Sequence, residues 1–326
     1  MQSSMETEKT REFSFREMIA KEKILTVTSS NSCFRRNLSS FSDQQNNSYL
    51  LTAHQNELNL VKFSCDGDCQ PETRKLNIGN QDEDDSAFVI QIHVFRDIAE
   101  VNLVFSYSLL EYNNLNDGID VNAQGIASFD SQILVGGTNG KIHVFDTSKK
   151  EGDIKVIVKE ILVTKHKSNV IDIHADDMHM VSCDASNLII VWFWSNDALD
   201  VKVMFEPNSN DPCSCVCVLN QFVLAAFTSG CIRIYNMHKQ RLQTQINAHA
   251  KCVTAIDVNP KTKMLATVAE DCFVRIFEFV DCEEELVSIM EHILKKMNAF
   301  ENYIQNLNFR SNINGVLWFA IRCLLG

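Results

Sequence analysis

The sequence predicts an all-β fold, a β-propeller of four-stranded sheets stacked about a common axis, and three observations predict it. Four stretches share one pattern: a short apolar run, a break, then alternating apolar residues ending in an aromatic. They are Ile133 to Phe145, Met180 to Trp192, Phe222 to Tyr235 and Met264 to Phe277. Their closing aromatics are spaced by 47, 43 and 42 residues, and a period of about 40–45 residues is that of a propeller blade. Strand-like runs flank each copy, no helical pattern separates the copies, and the chain has 4 prolines, which leaves stacked antiparallel sheets as the economical arrangement.

Each element follows from alignment on the aromatic. Three and one residues before it stand Ile142 and Val144, Ile189 and Val191, Ile232 and Ile234, Val274 and Ile276. All are β-branched, and a period of two puts each pair on one face of a strand. His143, Arg233 and Arg275 point the other way, with Ile190 as the exception. Five residues before the aromatic come Gly140, Asn187 and Gly230, residue types that tolerate the positive φ of a tight hairpin; Cys272 breaks the pattern. Val170 to Ile173 and Val253 to Val258 precede hairpins as further strands, and Val156 to Val158 and Val201 to Met204 follow them. One blade alone cannot bury both faces, so the copies must pack on each other.

Upstream, Tyr49 to Ala53 with Glu57 to Phe63 reads as one hairpin, and Ile90 to Val94 with Val101 to Tyr107 as another. The interval from Tyr112 to Phe145 is too short for a complete blade. The chain therefore divides into a polar extension over 1–31, a propeller over 32–281, and a tail over 282–326. The propeller has four well-formed blades and two weak or incomplete N-terminal ones. In the tail, Leu286, Ile289, Met290, Ile293, Leu294, Met297, Phe300, Ile304 and Leu307 recur at helical spacing. Three readings stay open: a helix over 286–307 that binds a partner or self-associates, a helix folded back on the propeller, and a C-terminus foreign to the fold.

Composition bounds the function. Apolar residues make up 45% and charged ones 22% of 326, an ordinary globular balance. The net charge of −12 argues against nucleic acid, whose affinity comes from clustered Lys and Arg. Met1 to Lys23 carries no signal-peptide run, and Val316 to Leu325, broken by Arg322, is too short to cross a bilayer. The expectation is a soluble, cytoplasmic chain with no membrane span, whose 12 cysteines remain thiols.

Candidate chemistry reads as structure. Cys213, Cys215 and Cys217 alternate along a strand, which predicts one shared face and a packing role. Cys65 to Cys69 is a Gly-containing loop, and Asp176 and Asp177 between His174 and His179 are ordinary turn formers. Gly136 to Gly140 opens no helix and lacks the Lys-Ser/Thr of a phosphate loop. No catalytic, cofactor or metal residue is expected. The rival reading is a hydrolase or metal-dependent enzyme on a propeller frame, which carboxylates and histidines converging on the central channel would favour.

His249 through Thr267, with Asp271 to Phe277, resembles a repeat of the WD-repeat family in which Phe277-Glu278 replaces Trp-Asp. The resemblance implies a hydrogen-bonded network of loop His, strand Ser/Thr, turn Asp and strand Trp. His249, Thr267 and Asp271 match it, whereas Phe277 has no indole donor. His166, Ser182 and Trp192 match in the second copy, where Ser186 occupies the Asp position; the first and third copies lack the His. The stretches Gln245 to Ala250, Ala269 to Asp271 and Gly136 to Lys141 are similar to one branch of that family, clearly from Gly125 to Phe279 and not after about Asp281. The resemblance implies a non-enzymatic scaffold for other proteins. Its expected contact rim comprises Lys167, Lys251, Asn139, Ser186, Ser229 and Glu270.

Overall fold

The computed structural model describes residues 38–42, 47–54, 57–64, 74–77, 110–112, 118–129, 132–150, 153–163, 165–195, 198–206, 210–259, 263–271, 273–282 and 285–293. The hairpin expected over Ile90 to Tyr107 and the extension over 1–31 lie outside them. Sheet 1 is β1 (Leu38–Ser42), β2 (Asn47–His54), β3 (Glu57–Ser64) and β4 (Arg74–Asn77). A two-stranded sheet follows, β5 (Leu110–Tyr112) with β6 (Gly118–Asp120). Sheet 2 is β7 (Ala123–Phe129), β8 (Gln132–Gly137), β9 (Ile142–Lys150) and β10 (Asp153–Val163); sheet 3 is β11 (Val170–Ala175), β12 (Met180–Asp184), β13 (Ile189–Ser195) and β14 (Ala198–Phe205). Sheet 4 is β15 (Cys213–Leu219), β16 (Phe222–Phe227), β17 (Cys231–Asn236) and β18 (Arg241–Asn247); sheet 5 is β19 (Val253–Asn259), β20 (Met264–Ala269), β21 (Val274–Cys282) and β22 (Glu285–Ile293). Every four-stranded sheet is an antiparallel meander in chain order.

Sheets 2 to 5 pack face to face in order, and the β-branched pairs explain how. Ile142 and Val144 of sheet 2 meet Ile173, Met180, Ile190 and Trp192 of sheet 3 in one core. Ile189 and Val191, on the opposite face, meet Val216, Val223 and Phe227 of sheet 4, and Ile232 and Ile234 meet Val253, Leu265 and Phe277 of sheet 5. The pair in the third strand of sheets 2, 3 and 4 thus faces the next sheet, and in sheets 3 and 4 the residue between them faces the previous one. Ile190 is apolar because it faces the core of sheets 2 and 3, where it is wholly buried. Arg233, in the same position of sheet 4, stacks its guanidinium 4.0 Å over the Phe227 ring.

The first strands β7, β11, β15 and β19 adjoin one another in series, so they form the inner rank of the stack. Each shifts register against its second strand at the same place: Ala123/Ile126, Val170/Asp172, Cys213/Cys215 and Val253/Ala255. A bulge adds a residue and interrupts strict alternation. For that reason the three cysteines do not share a face: Cys213 packs in the core toward sheet 3, Cys215 and Cys217 in the core toward sheet 5.

Two other expectations need correcting. The sheet that contains Phe145 has all four strands, because its first strand begins at Ala123 and its last ends at Val163, well past Phe145. Residues 285–293 are not helical. They form β22, which pairs along β21 from Cys282↔Glu285 to Arg275↔Ile293. Leu286, Ile289, Met290 and Ile293 fit helical spacing, but the run from Ser288 to Ile293 pairs residue by residue with β21, as a strand does. The unpaired backbone edge of β21 decides between the two. The remaining apolar positions of the expected helix, Leu294 to Leu307, lie outside the described residues.

Candidate functional site: linked loops at one end of the sheets

The loop before each first strand and the hairpin between second and third strands meet at one end. Ala185 N–H donates to the Asn169 carbonyl at 2.8 Å, Thr228 N–H to Pro212 at 3.0 Å, Glu270 N–H to Cys252 at 3.0 Å, and Thr138 N–H to Asn122 at 3.0 Å. Adjacent sheets are joined at the same level. A Cβ on Gly140 would lie 2.9 Å from the carbonyl oxygens of both His166 and Ser168, and one on Gly230 would lie 2.8 Å from that of Lys251. The two glycines serve doubly, since their φ angles are 77° and 91°. Between sheets 3 and 4, Asn187, at φ 70°, fills the same gap with its amide oxygen, which accepts from Cys213 N–H at 2.8 Å. Asn139, Lys167, Ser186, Ser229, Lys251 and Glu270 therefore stand on one continuous string of loops, and all but the half-buried Asn139 are exposed.

The string is held by carboxylate-centred networks. In sheet 3, Trp192 Nε1–H donates to Ser182 Oγ at 2.7 Å. The Ser182 hydroxyl then has its proton free for His166 Nε2 at 2.6 Å, and His166 Nδ1–H donates to Asp184 Oδ2 at 2.9 Å. The other Asp184 oxygen accepts from Ser186 N–H at 2.9 Å, Ser186 Oγ–H at 2.6 Å and Leu188 N–H at 3.1 Å. The carboxylate is Asp184, not the Ser186 position that repeat alignment assigns. It sits at the end of β12, two residues earlier, and reaches the loop His from there. Burial pushes its carboxyl up, but the His166, Ser186 and Leu188 hydrogen bonds and the His166 ring prevail and hold it below the ordinary carboxylate value. His166 and Asp184 side chains are fully buried.

In sheet 5, His249 Nδ1 lies 3.0 Å from Asp271 Oδ2 and His249 Nε2 lies 2.8 Å from Thr267 Oγ1. Ala250 N–H and Phe273 N–H also donate to Asp271, at 3.0 and 3.1 Å. Phe277 offers no indole, and the Thr267 hydroxyl has the Arg275 carbonyl at 3.3 Å instead. Sheet 4 has no loop His and reverses the direction: Asp211, in the loop, accepts from Ser229 N–H at 3.0 Å, Ser229 Oγ–H at 2.6 Å and Thr228 Oγ1–H at 3.1 Å. Burial raises the Asp211 carboxyl, and those bonds outweigh it and lower the net value. Sequence reading missed Asp184 and Asp211; an acidic residue just before β15 or ending β12 is the signal that was present.

At the other end of the strands, Asp176 Oδ1 accepts from Met178 N–H at 2.8 Å and His179 N–H at 2.7 Å, the hydrogen bonding of a turn. His174 goes elsewhere, to the inner rank, where its Nε2 lies 3.6 Å from Cys217 Sγ and 4.0 Å from Asp257 Oδ1. The described residues contain no helix long and apolar enough to cross a membrane.

A serial array of four-stranded meanders, tied at one end by His–Ser/Thr–Asp networks, defines a WD-repeat protein. The profile of the WDR54 family matches residues 87–303, and the chain belongs to that family. The match continues past Asp281, where the sequence resemblance was read to stop, and so takes in β22. The chain is 30% identical to mouse WD repeat-containing protein 54 over 164 residues, 48% of this chain and 47% of the relative. It is 29% identical to the human protein over 178 residues, 52% of each. The chain thus spans about half the length of these curated relatives. It is 21% identical to Actin-interacting protein 1-2 of Arabidopsis thaliana over 70% of this chain and 37% of that one. Among solved structures, a chain of the Mitotic Checkpoint Complex matches 84% of this chain and 86% of its own at TM-score 0.53 and 11% identity, a likeness of fold.

Proposed function

We propose that this chain is a non-enzymatic, cytoplasmic protein–protein interaction scaffold, a closed β-propeller that holds partners on the end carrying the linked loops. WD-repeat proteins typically bind other proteins, and loops positioned by a rigid frame are where binding residues concentrate. The observation that carries the reading is the string itself. Ala185, Ser186, Thr228, Ser229, Ala250 and Glu270 are tied by backbone hydrogen bonds or to a carboxylate. Lys167 and Lys251 lie on loops carrying those ties, so little ordering cost is left for the loops to meet on association.

Affinity purification of the full chain, compared with the Lys167→Glu/Lys251→Glu double variant, tests it. Charge reversal at an exposed rim should leave thermal melting unchanged and remove a defined set of partners. The control is Asp177→Lys/Lys239→Glu at the opposite end, expected to keep those partners. Partners retained by the rim variant and lost by the control would overturn the assignment of the face.

A further inference from the structure

We infer that the inner rank of strands holds a binding site for one borderline-soft divalent cation of the zinc class, made by His174, Cys217 and Asp257. The inference is independent of the scaffold reading, because the site lies on the inner strands and away from the linked loops.

The three residues occupy one register position in three consecutive sheets. His174 pairs with Val181, Cys217 with Leu224 and Asp257 with Ala266, each the third pair beyond the shared bulge. Equivalent positions of adjoining inner strands carry their side chains toward each other, and one donor atom from each residue lies within 4.8 Å of the other two. Cys217 Sγ to His174 Nε2 is 3.6 Å, and His174 Nε2 to Asp257 Oδ1 is 4.0 Å. A tetrahedral zinc with ordinary bond lengths separates sulfur, nitrogen and oxygen ligands by roughly 3.3–3.6 Å. The sulfur–nitrogen distance already fits, and Asp257 has to move in by roughly half an ångström or more for the cage to close on a cation.

Chemistry narrows the occupant. A thiolate and a carboxylate neutralise a dication, and neutral imidazole completes the set without adding charge. Calcium and magnesium seek all-oxygen sites, so a sulfur and a nitrogen select against them. His174 and Asp257 side chains keep 22% and 19% of their exposure, enough for a cation to enter and for water to take a fourth position. A hydrogen bond opposes loading. Val218 N–H donates to His174 Nδ1 at 3.3 Å, which places the proton of the neutral ring on Nε2. Cation binding at Nε2 moves that proton to Nδ1 and opens the Val218 contact, a long hydrogen bond of low cost.

The test uses the full chain, stripped with chelator, kept reduced and titrated with cobalt(II) and then zinc(II). One equivalent of cobalt should produce a thiolate-to-metal charge-transfer band with four-coordinate visible bands, and zinc should displace it. Cys217→Ser should abolish the charge-transfer band. His174→Gln and Asp257→Asn should each raise the zinc Kd by at least about tenfold, and Cys213→Ser should change neither. Near-UV circular dichroism checks the fold of each variant; should Cys217→Ser not fold, the His174 and Asp257 variants decide. A wild-type chain with no band overturns the inference, as does a band that survives Cys217→Ser or a zinc affinity indifferent to both His174→Gln and Asp257→Asn.

Discussion

Replacing Asp184 with alanine should cost about 3–5 kcal/mol, whereas replacing Ser186 should cost less than about 1 kcal/mol, although repeat alignment points to Ser186 as the network residue. The figure follows from the groups each change strands. Without the Asp184 carboxylate, His166 Nδ1–H and Leu188 N–H lose their acceptor in surroundings where water cannot replace it, and each such orphan costs about 1–3 kcal/mol. Ser186 also loses its partner, but it is exposed and its hydroxyl turns to water; removing that hydroxyl instead leaves the Asp184 carboxylate with its His166, Ser186 backbone and Leu188 donors. Urea unfolding of both variants, compared at unchanged m-value, measures the difference. A cycle with His166→Ala adds a second check, because residues joined in one network couple by about 0.5–3 kcal/mol. A Ser186→Ala loss equal to that of Asp184→Ala would refute the geometry, and additive His166 and Asp184 losses would refute the network.

Three further outcomes follow from particular contacts. Gly230→Ala should destabilise by about 2–4 kcal/mol, since its φ is 91° and the new Cβ would press on the carbonyls of His249 and Lys251; a melt within a degree of wild type would remove the close approach. Burial, with the Lys202 ammonium beside it, holds His179 below its ordinary 6.5; the unfolded chain then binds the extra proton, so stability should fall as pH drops below about 6.5, and less steeply in Lys202→Met. Proteins ending at residue 284 rather than 293 should be less stable by at least about 2 kcal/mol, because β21 loses its whole outer partner; equal stability would mean that β22 does not hold the edge.

The array of sheets was legible because it rests on short-range rules. Period two, β-branched pairs and turn residues at a fixed offset from Phe145, Trp192, Tyr235 and Phe277 all act within about a dozen residues, and the strands fall where those signals fall. Legibility failed where the deciding interaction came from outside the segment. Leu286 to Ile293 carries two periodicities, and only the open edge of β21 selects the strand. Cys213 changes face because of a bulge that no local alternation announces. Asp184 reaches His166 from a strand end, while Asp271 reaches His249 from a turn, so one carboxylate role occupies two alignment columns. Column-by-column matching cannot find a role that geometry delivers from two directions.

The inner-strand cluster shows how far the period itself can be read. His174, Cys217 and Asp257 look unrelated along the chain, and His174 was naturally grouped with Asp176, Asp177 and His179 nearby. Yet they are separated by about one repeat each, and in a stack whose inner strands adjoin in order, one repeat in sequence is one step along the stack. Local neighbours such as Asp176 are turned away to build a turn, whereas distant residues in the same register converge. Polar residues should therefore be compared across copies at matched register, as the apolar ones were. That comparison puts Ala127, paired with Leu134 and buried, in the fourth place. The donor set consequently has three members, and a cation there would be held by sheets 3, 4 and 5 and by none of the side chains of sheet 2 at that level. If Ala127→His, which adds a donor at the matched register, tightens zinc binding while Cys213→Ser leaves it unchanged, register rather than proximity in sequence is what assembles the site; an Ala127→His chain that folds and binds zinc no more tightly than wild type would refute that reading.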